Sequence, residues 1–250
     1  MAWLDQNQDW LARAERWWPS RVEPLRITFE LADEIAWDDR NGLTALEGTL
    51  QWQVIARETN RVPSDVFRGC DAKPMIPIPI EHVTIAGPPI ARCSWGIPAT
   101  HVDSVRWMRK RARVEALNLP RVAINGGAYK SLQFPVATLT TPHLYFFVRG
   151  DRGELEELLR DVVALGRGRG SAIGVVHRWG IDDDPEDRSL IHRNRPQRAL
   201  PIALDGGSFD PLTFEPGSYV EREMTTRAPF WKRGPDVAVC AVPATARLGA

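Results

Sequence analysis

Hydrophobic residues follow the period of a helix in four segments of the chain. In the first segment, Trp3, Trp10 and Trp17 recur every seven residues, which indicates one apolar helical face that ends before Pro19. A face of this kind has to be buried, either on the protein's own domain or on a neighbouring subunit where it would act as an assembly element. The predicted helices cover residues 2–18, 43–57, 103–116 and 152–165.

Alternation of apolar and polar residues predicts strands between these helices. The clearest is Pro24–Leu31, where Leu25, Ile27 and Phe29 would point to one side. Residues 60–100 are expected to be irregular, because each proline of the segment PMIPIPI removes a hydrogen-bond donor from a strand. The remaining predicted strands are Phe134–Leu139, Leu144–Arg149, Ile173–Trp179, Ala199–Leu204, Ser218–Glu223 and Val237–Val242.

The order of these elements predicts an α+β fold. Strand, helix, long insertion, two strands, helix, glycine-rich loop and strand give the βαββαβ order of a ferredoxin-like, RNA-recognition-type domain. The predicted organisation is an N-terminal amphipathic helix (1–20), a ferredoxin-like domain (21–205) with an insertion at about 60–120, and a β-rich C-terminal extension (206–250).

Charge is distributed unevenly although the formal net charge is zero. Residues 92–135 hold eight Lys or Arg against two acids, so a basic face is compatible with a neutral total. The cysteines Cys70, Cys93 and Cys240 form no CxxC pair, which excludes a zinc ribbon or a disulfide scaffold and favours reduced thiols. Without a signal peptide or a membrane-spanning segment, the chain is expected to be cytoplasmic and to contact no membrane.

The loop GRGRGSAIG at residues 166–174 follows a predicted helix and opens a predicted strand. Phosphate loops of nucleotide-binding domains have the opposite order, so we expect no nucleotide cofactor and no metal. Glycine amides together with two arginines nevertheless suit an RNA backbone. The loop residues predicted to bind RNA are Gly166, Arg167, Gly168, Arg169 and Gly170.

Three further groups of residues are candidates for RNA contact. On the predicted helix 103–116, spacings of three and four residues would place several basic side chains on one face, where they would meet phosphates. A tyrosine and a lysine after Gly126-Gly127 suit base stacking and phosphate pairing. The third group is two residues of the strand predicted after the glycine loop. The candidates of the three groups are Arg106, Arg109, Lys110, Arg113, Tyr129, Lys130, His177 and Arg178.

Four segments, taken in order, resemble the RAMP superfamily, the RNA-binding subunits of class 1 CRISPR complexes. They are PLRITFELADEIAWDDRNGLTALEGTLQW (residues 24–52), INGGAYKSLQFP (124–135), GDRGELEELLRDVVALGRGRG (150–170) and LGRGRGSAIGVVHRW (165–179). The arrangement is similar to the small RAMP subunit of type IV systems, and the resemblance covers roughly residues 24–205. The N-terminal helix and the tail resemble no element of the family.

The resemblance implies a structural subunit without catalytic residues. Such a subunit binds the 5′ handle of a guide RNA, contacts the backbone-forming RAMP subunit and the large subunit, and meets target DNA only indirectly. Two alternatives stay open: a metal-independent endoribonuclease that uses His177 with Tyr129 or Lys130, and an RNA-recognition protein unrelated to CRISPR. The acidic run Asp182–Asp187 is expected to be a solvated loop.

Overall fold

The structure is a computed structural model that describes residues 3–37, 45–61, 63–67, 74–85, 89–100, 102–110, 132–166, 173–202, 213–226 and 237–244. The helices are α1 (Trp3–Ala14), which continues into a 3₁₀ turn at Glu15–Trp17, α2 (Leu46–Thr59), α3 (Pro63–Val66) and α4 (Arg152–Leu159). The strands are β1 (Glu23–Leu31), β2 (Ile35–Ala36), β3 (His82–Val83), β4 (Ile90–Ala91), β5 (Ile97–Pro98), β6 (Val102–Lys110), β7 (Leu132–Thr140), β8 (His143–Gly150), β9 (Val176–Asp183), β10 (Ile191–His192), β11 (Arg195–Pro196), β12 (Leu200–Pro201), β13 (Tyr219–Thr225) and β14 (Val237–Pro243).

The predicted α+β class is confirmed, and its centre is a four-stranded antiparallel sheet in the order β5-β8-β1-β9. Alternation in β1 buries Leu25, Ile27 and Phe29 completely, as the sequence predicts. The apolar faces of α1, α2 and α4 join this side of the sheet in the main core. Within the described residues, no helix is long and apolar enough to cross a membrane.

The N-terminal helix packs on the protein's own core. Trp10 and Trp17 are buried there, and the Trp17 indole donates a hydrogen bond to Glu58 Oε1 at 3.0 Å. The guanidinium of Arg57 lies 5.6 Å from the Trp17 ring, and Arg16 lies 3.2 Å from the Glu58 carboxylate. Of the two alternatives for this apolar face, the described part of the helix therefore supports burial within the subunit.

The helix predicted over residues 103–116 is wrong for residues 103–110, and the rest of it lies outside the described part of the chain. Residues 102–110 form β6, which pairs antiparallel with β7 along its whole length, from Val102 opposite Thr140 to Lys110 opposite Leu132. Cross-strand pairing thus meets the hydrogen-bonding needs of a segment whose local pattern also suits a helix. One side of the ribbon stays open to solvent, since Val105 and Trp107 are about 60 % exposed.

A second correction concerns the strands of the central sheet. The predicted strand Phe134–Leu139 exists as part of β7, but β7 pairs with β2 and β6 in a separate sheet. The position beside β8 is occupied by the two-residue strand β5, from the segment expected to be irregular. The four-stranded sheet therefore forms, but with a different second strand.

The last predicted helix and strand also shift. Helix α4 ends at Leu159, residues 160–161 form a turn, and Ala164 then forms a bridge with Val175. Leu155, Leu158 and Leu159 are buried, whereas Val163 is exposed. Strand β9 consequently begins at Val176, three residues after the predicted start.

The N-terminus of α4 carries two carboxyl groups with opposite pKa shifts. Asp151 caps the helix and accepts hydrogen bonds from the Gly153 and Glu154 amides. A hydrogen bond from Ser20, together with those from the amides, holds the pKa of Asp151 below its usual range. Burial, assisted by the Asp151 and Glu157 carboxylates, raises the pKa of Glu154 to about 7. Glu154 therefore destabilises the fold when it ionises.

The acidic run Asp182–Asp187 is solvated only in part: Asp182 and Asp183 at the end of β9 and Glu186 beyond it are exposed, whereas two of the acids are held by arginines. Asp184 is 1 % exposed and binds the Arg188 guanidinium at 2.7 Å. Asp187 binds Arg92 at 2.7 Å and Arg149 at 3.3 Å. These acids are structural, and no group of His, Cys, Asp and Glu among the described residues is arranged to hold a metal ion.

A buried ion pair joins the C-terminal strands to the central domain. Arg198 and Glu47 are each 2 % exposed and meet through two contacts of 3.0 and 3.2 Å. Beside them, burial raises the pKa of Cys93 to about 12 and that of Cys240 to about 11. We refer to Cys93 and Cys240 as the two buried thiols; both are free, as predicted.

Candidate nucleic-acid interface

The base of the glycine-rich loop is held by main-chain contacts. The Leu165 amide donates to the Gly174 carbonyl at 2.8 Å, and the adjacent Ala164 and Val175 form a bridge. Gly166 and Gly174 have φ angles of 72° and 73°, a conformation that favours glycine. At Gly174 a Cβ atom would also collide with the Leu165 carbonyl. Glycines at both ends therefore allow the chain to close here.

The turn after β1 brings three of the predicted RNA-binding groups together. The Glu34 carbonyl accepts a hydrogen bond from the Gly174 amide at 2.8 Å, at the base of the loop. The Glu34 carboxylate binds Arg106 of β6 at 2.9 Å. At the start of the same turn, Glu30 forms an ion pair with Arg178 of β9. We call Glu30–Glu34 the junction, since Arg106, Arg178 and the loop all contact it.

Charge at the junction is partly neutralised in the free protein. Arg106 and Arg178 both have carboxylate partners, Glu34 and Glu30, although Arg178 keeps 75 % of its side chain exposed. A phosphate that binds here would have to compete with these carboxylates or extend the pairs into a network. Asp33 adds a third carboxylate, 3.7 Å from Arg106, so the described groups of the junction carry no net positive charge.

For the other residues predicted to bind RNA, no contact with the junction is seen among the described side chains. Arg109 and Lys110 belong to β6, in which only residues two apart share a face, so the helical face expected for Arg106, Arg109 and Arg113 does not form. The predicted RNA-binding residues that lie outside the described part of the chain are Arg113, Tyr129, Lys130, Arg167, Gly168, Arg169 and Gly170.

His177 lies at the start of β9 with an exposed side chain. The pairing of β1 with β9 is irregular at this point, because Glu30 faces Arg178 while the next residue, Leu31, faces Val176. The bulge turns His177 away from the regular ladder, toward solvent. Its predicted catalytic partners, Tyr129 and Lys130, lie outside the described residues, so the endoribonuclease alternative stays a hypothesis.

The open face of the central sheet carries an aromatic group that is not among the residues predicted to bind RNA. Tyr145 lies on β8 opposite Thr28 of β1, and the His143 ring stacks against it at 6.4 Å with an interplanar angle of 11°. The Arg26 guanidinium lies 5.9 Å from the Tyr145 ring. Gly180 of β9 lies across from Thr28 with open space above it. The alternation His143, Tyr145 against Leu144, Phe146 is the signal that predicts this face.

This face suits base stacking better than phosphate binding. Arg26 is paired with Asp182 at 2.9 Å, so its charge is largely balanced. Half-exposed rings on a central strand, beside a glycine that leaves room, provide a flat platform for an unstacked base. The rings of the platform lie on β8, next to β1, and Glu30 of the junction pairs with His143 in the ladder between these two strands.

Comparison with protein-family models matches none of them to this chain, and comparison with curated proteins finds no match.

Proposed function

We propose that the chain is a non-enzymatic, guide-RNA-binding subunit of a class 1, type IV CRISPR ribonucleoprotein, where it caps the 5′ handle of the guide. The strand order β5-β8-β1-β9 supports the ferredoxin-like part of this proposal. Along the chain, β1, β5, β8 and β9 are the first, second, third and fourth strands of this sheet, so the sheet read from β9 has the order fourth, first, third, second. All neighbouring pairs are antiparallel, as in a βαββαβ ferredoxin-like sheet. The RAMP resemblance of the sequence supports the CRISPR part.

The observation that carries the proposal is the closed base of the glycine-rich loop beside the junction. The Leu165 amide donates to the Gly174 carbonyl, and the Gly174 amide donates to Glu34, whose carboxylate binds Arg106. A loop anchored in this way can present two arginines and several amides to an RNA backbone at a low entropic cost. Bases next to the bound backbone then have the Tyr145 platform within the same sheet.

In the complex, this subunit would position RNA and contact other subunits. The proposed partners are the guide RNA, the backbone-forming RAMP subunit and the large subunit, with target DNA contacted through the guide. Such a complex acts in the cytoplasm. Phosphate contacts from Arg167 and Arg169 carry no sequence information, so any preference for the handle would come from stacked bases and from the shape of the RNA.

The test is RNA binding by the full chain at several salt concentrations. Single-stranded repeat RNA should bind the wild type, and Arg167→Ala/Arg169→Ala should weaken binding. Each phosphate contact on a single strand contributes about 0.7 to the slope of log affinity against log salt, so the double variant should reduce that slope by about 1.4. Arg21→Ala/Arg61→Ala is the matched control, because it removes equal charge at two exposed positions away from the junction.

Two results would overturn the proposal. Equal affinity and equal salt slopes for the loop variant and the control would remove the loop from RNA binding. Cleavage of repeat RNA in EDTA that disappears in His177→Ala would establish the endoribonuclease alternative instead. Co-purification with a small RNA and a repeating backbone subunit tests the CRISPR assignment separately.

A further inference from the structure

A cleft lies where the C-terminal segments meet β5 of the central sheet and the sheet formed by β2, β6 and β7. Its volume is about 410 Å³, within the range of pockets that hold small molecules. The indoles of Trp37 and Trp95 supply the large apolar surfaces of its lining. Trp95 is 8 % exposed, and its amide donates to the Gln197 carbonyl at 2.9 Å, so one wall is fixed to the backbone.

The polar groups of the cleft offer both donors and acceptors without a net charge. Arg193 and Arg195 are balanced by Asp103 and Glu215. Arg195 and Glu215 form an ion pair with each other, and the hydrogen bond from Arg195 holds the pKa of Glu215 below its usual range. A ligand that suits this lining is flat and uncharged in its bound part, and has hydrogen-bond donors as well as acceptors along its edge.

Arg193 has an unusual backbone conformation. It forms, with Asn194, the two-residue turn between β10 and β11, and the two have φ angles of 49° and 58°. Asn is a favoured residue for such a turn, and glycine is the residue expected beside it. An arginine there costs conformational energy that glycine would avoid. The hairpin therefore holds a guanidinium at the cleft although glycine would make a more stable turn.

We propose that this cleft binds a single nucleobase. Indole rings stack on the faces of a base, while the Arg193 guanidinium and the Asp103 carboxylate match the acceptors and donors along its edge. An aliphatic ligand would form no hydrogen bonds with Arg193 and Asp103, which line the cleft. The base belongs either to an RNA held by the subunit, in which case the inference rests on the proposed function, or to a free nucleotide.

The hairpin also makes the cleft rigid before a ligand arrives. The Glu215 amide donates to the Asn194 carbonyl at 2.8 Å, and the Gln197 amide donates to the Leu190 carbonyl at 2.7 Å. A preformed cleft does not have to be ordered by its ligand, which favours binding of a small ring.

The experiment uses the full chain, the four nucleoside monophosphates, ribose 5-phosphate and single-stranded repeat RNA. Tryptophan fluorescence and calorimetry should show saturable binding of at least one monophosphate, with ribose 5-phosphate at least tenfold weaker. Arg193→Gly should weaken base binding at least tenfold without lowering the urea midpoint, because glycine suits the turn. Trp37→Leu should also weaken it, whereas Trp107→Leu, at an exposed tryptophan outside the cleft, should not.

The outcomes show whether the base comes from RNA or from a free nucleotide. They also test the cleft proposal independently of the proposed function. If Arg193→Gly weakens RNA binding and monophosphates bind weakly, the base comes from RNA. If monophosphates bind tightly and RNA affinity is unchanged, the ligand is a free nucleotide. The cleft proposal is overturned if ribose 5-phosphate binds as well as the monophosphates. It is also overturned if no monophosphate binds and RNA affinity is the same in both cleft variants, a result that leaves the loop arginine test unaffected.

Discussion

Removing one partner of the buried Arg198–Glu47 ion pair should strongly destabilise the protein. Arg198 donates to both Glu47 oxygens and also to the carbonyls of Ala91 and Thr226 at 2.7 and 3.0 Å. In Arg198→Met, the Glu47 carboxylate would stay buried without a cation. Loss of one partner of a buried pair costs about 3–5 kcal/mol, which is a large part of the stability of a typical domain.

Removal of both charges should cost much less than the sum of the single changes. In Arg198→Met/Glu47→Leu no uncompensated charge remains, and apolar replacements of buried pairs are often nearly neutral. Three carbonyls, those of Ala91, Cys93 and Thr226, still lose a donor. At about 1 kcal/mol each, we expect a loss of about 3 kcal/mol for the double variant. The coupling between the two sites should therefore be several kcal/mol.

Urea unfolding of the wild type, both single variants and the double variant, followed by tryptophan fluorescence, measures this coupling. Equal m-values would show that the same surface unfolds in every protein. The reasoning is refuted if the single changes cost less than about 1 kcal/mol, or if the cost of the double variant equals their sum.

Three other predictions follow from local features of the fold. Gly174→Ala should lower the free energy of unfolding by about 2 kcal/mol or more, since it combines a left-handed φ with a collision at the loop base. Gly180→Ala should cause no measurable loss, and thermal melts that show equal losses of stability in the two variants would contradict this. The raised pKa of Glu154, about 7 against an ordinary 4.5, means that the folded state keeps a proton after the unfolded state has released it, so stability falls as the pH rises from about 5 through 7. Glu154→Gln should therefore gain urea stability relative to the wild type at pH 8 but not at pH 5, and a pH-independent difference would contradict the assignment. In a Cys70→Ser background the two buried thiols should react with a disulfide reagent at pH 8 only as fast as the protein unfolds, and immediate reaction would show that they are accessible.

The parts of the fold that the sequence predicts well are those in which local pattern and tertiary burial agree. Strand β1 alternates over its full length, and both of its ends lie within one residue of the prediction. The buried leucines of α4 recur at helical spacing, so the helix begins where predicted, although it ends at Leu159 and not at residue 165. Segment 102–110 was misassigned because Val105, Trp107 and the basic residues fit a helix as well as a strand. Its pairing with β7, more than twenty residues away, decides between them.

The candidate site was predicted only in part, for a related reason. The glycine loop was located from its own residues, but its attachment to Glu34, and the contact of Glu34 with Arg106, depend on three segments distant in sequence. The two-residue strand β5 and the cleft beside it have no local signal at all. A tertiary arrangement built from single residues on many segments cannot be read from periodicity.

Strand β9 lies at one edge of the central sheet, and its side chains affect how molecules of this protein behave at high concentration. An edge strand exposes main-chain groups that another copy could pair with, in the manner of aggregating sheets. In β9 the exposed positions include His177, Arg178, Asp182 and Asp183, which are charged or ionisable and would be costly to bury in an intermolecular sheet. The strand that borders the junction thus also protects the protein from self-association. Variants that replace these residues with valine or isoleucine should be checked for solubility before their effect in an RNA-binding assay is interpreted.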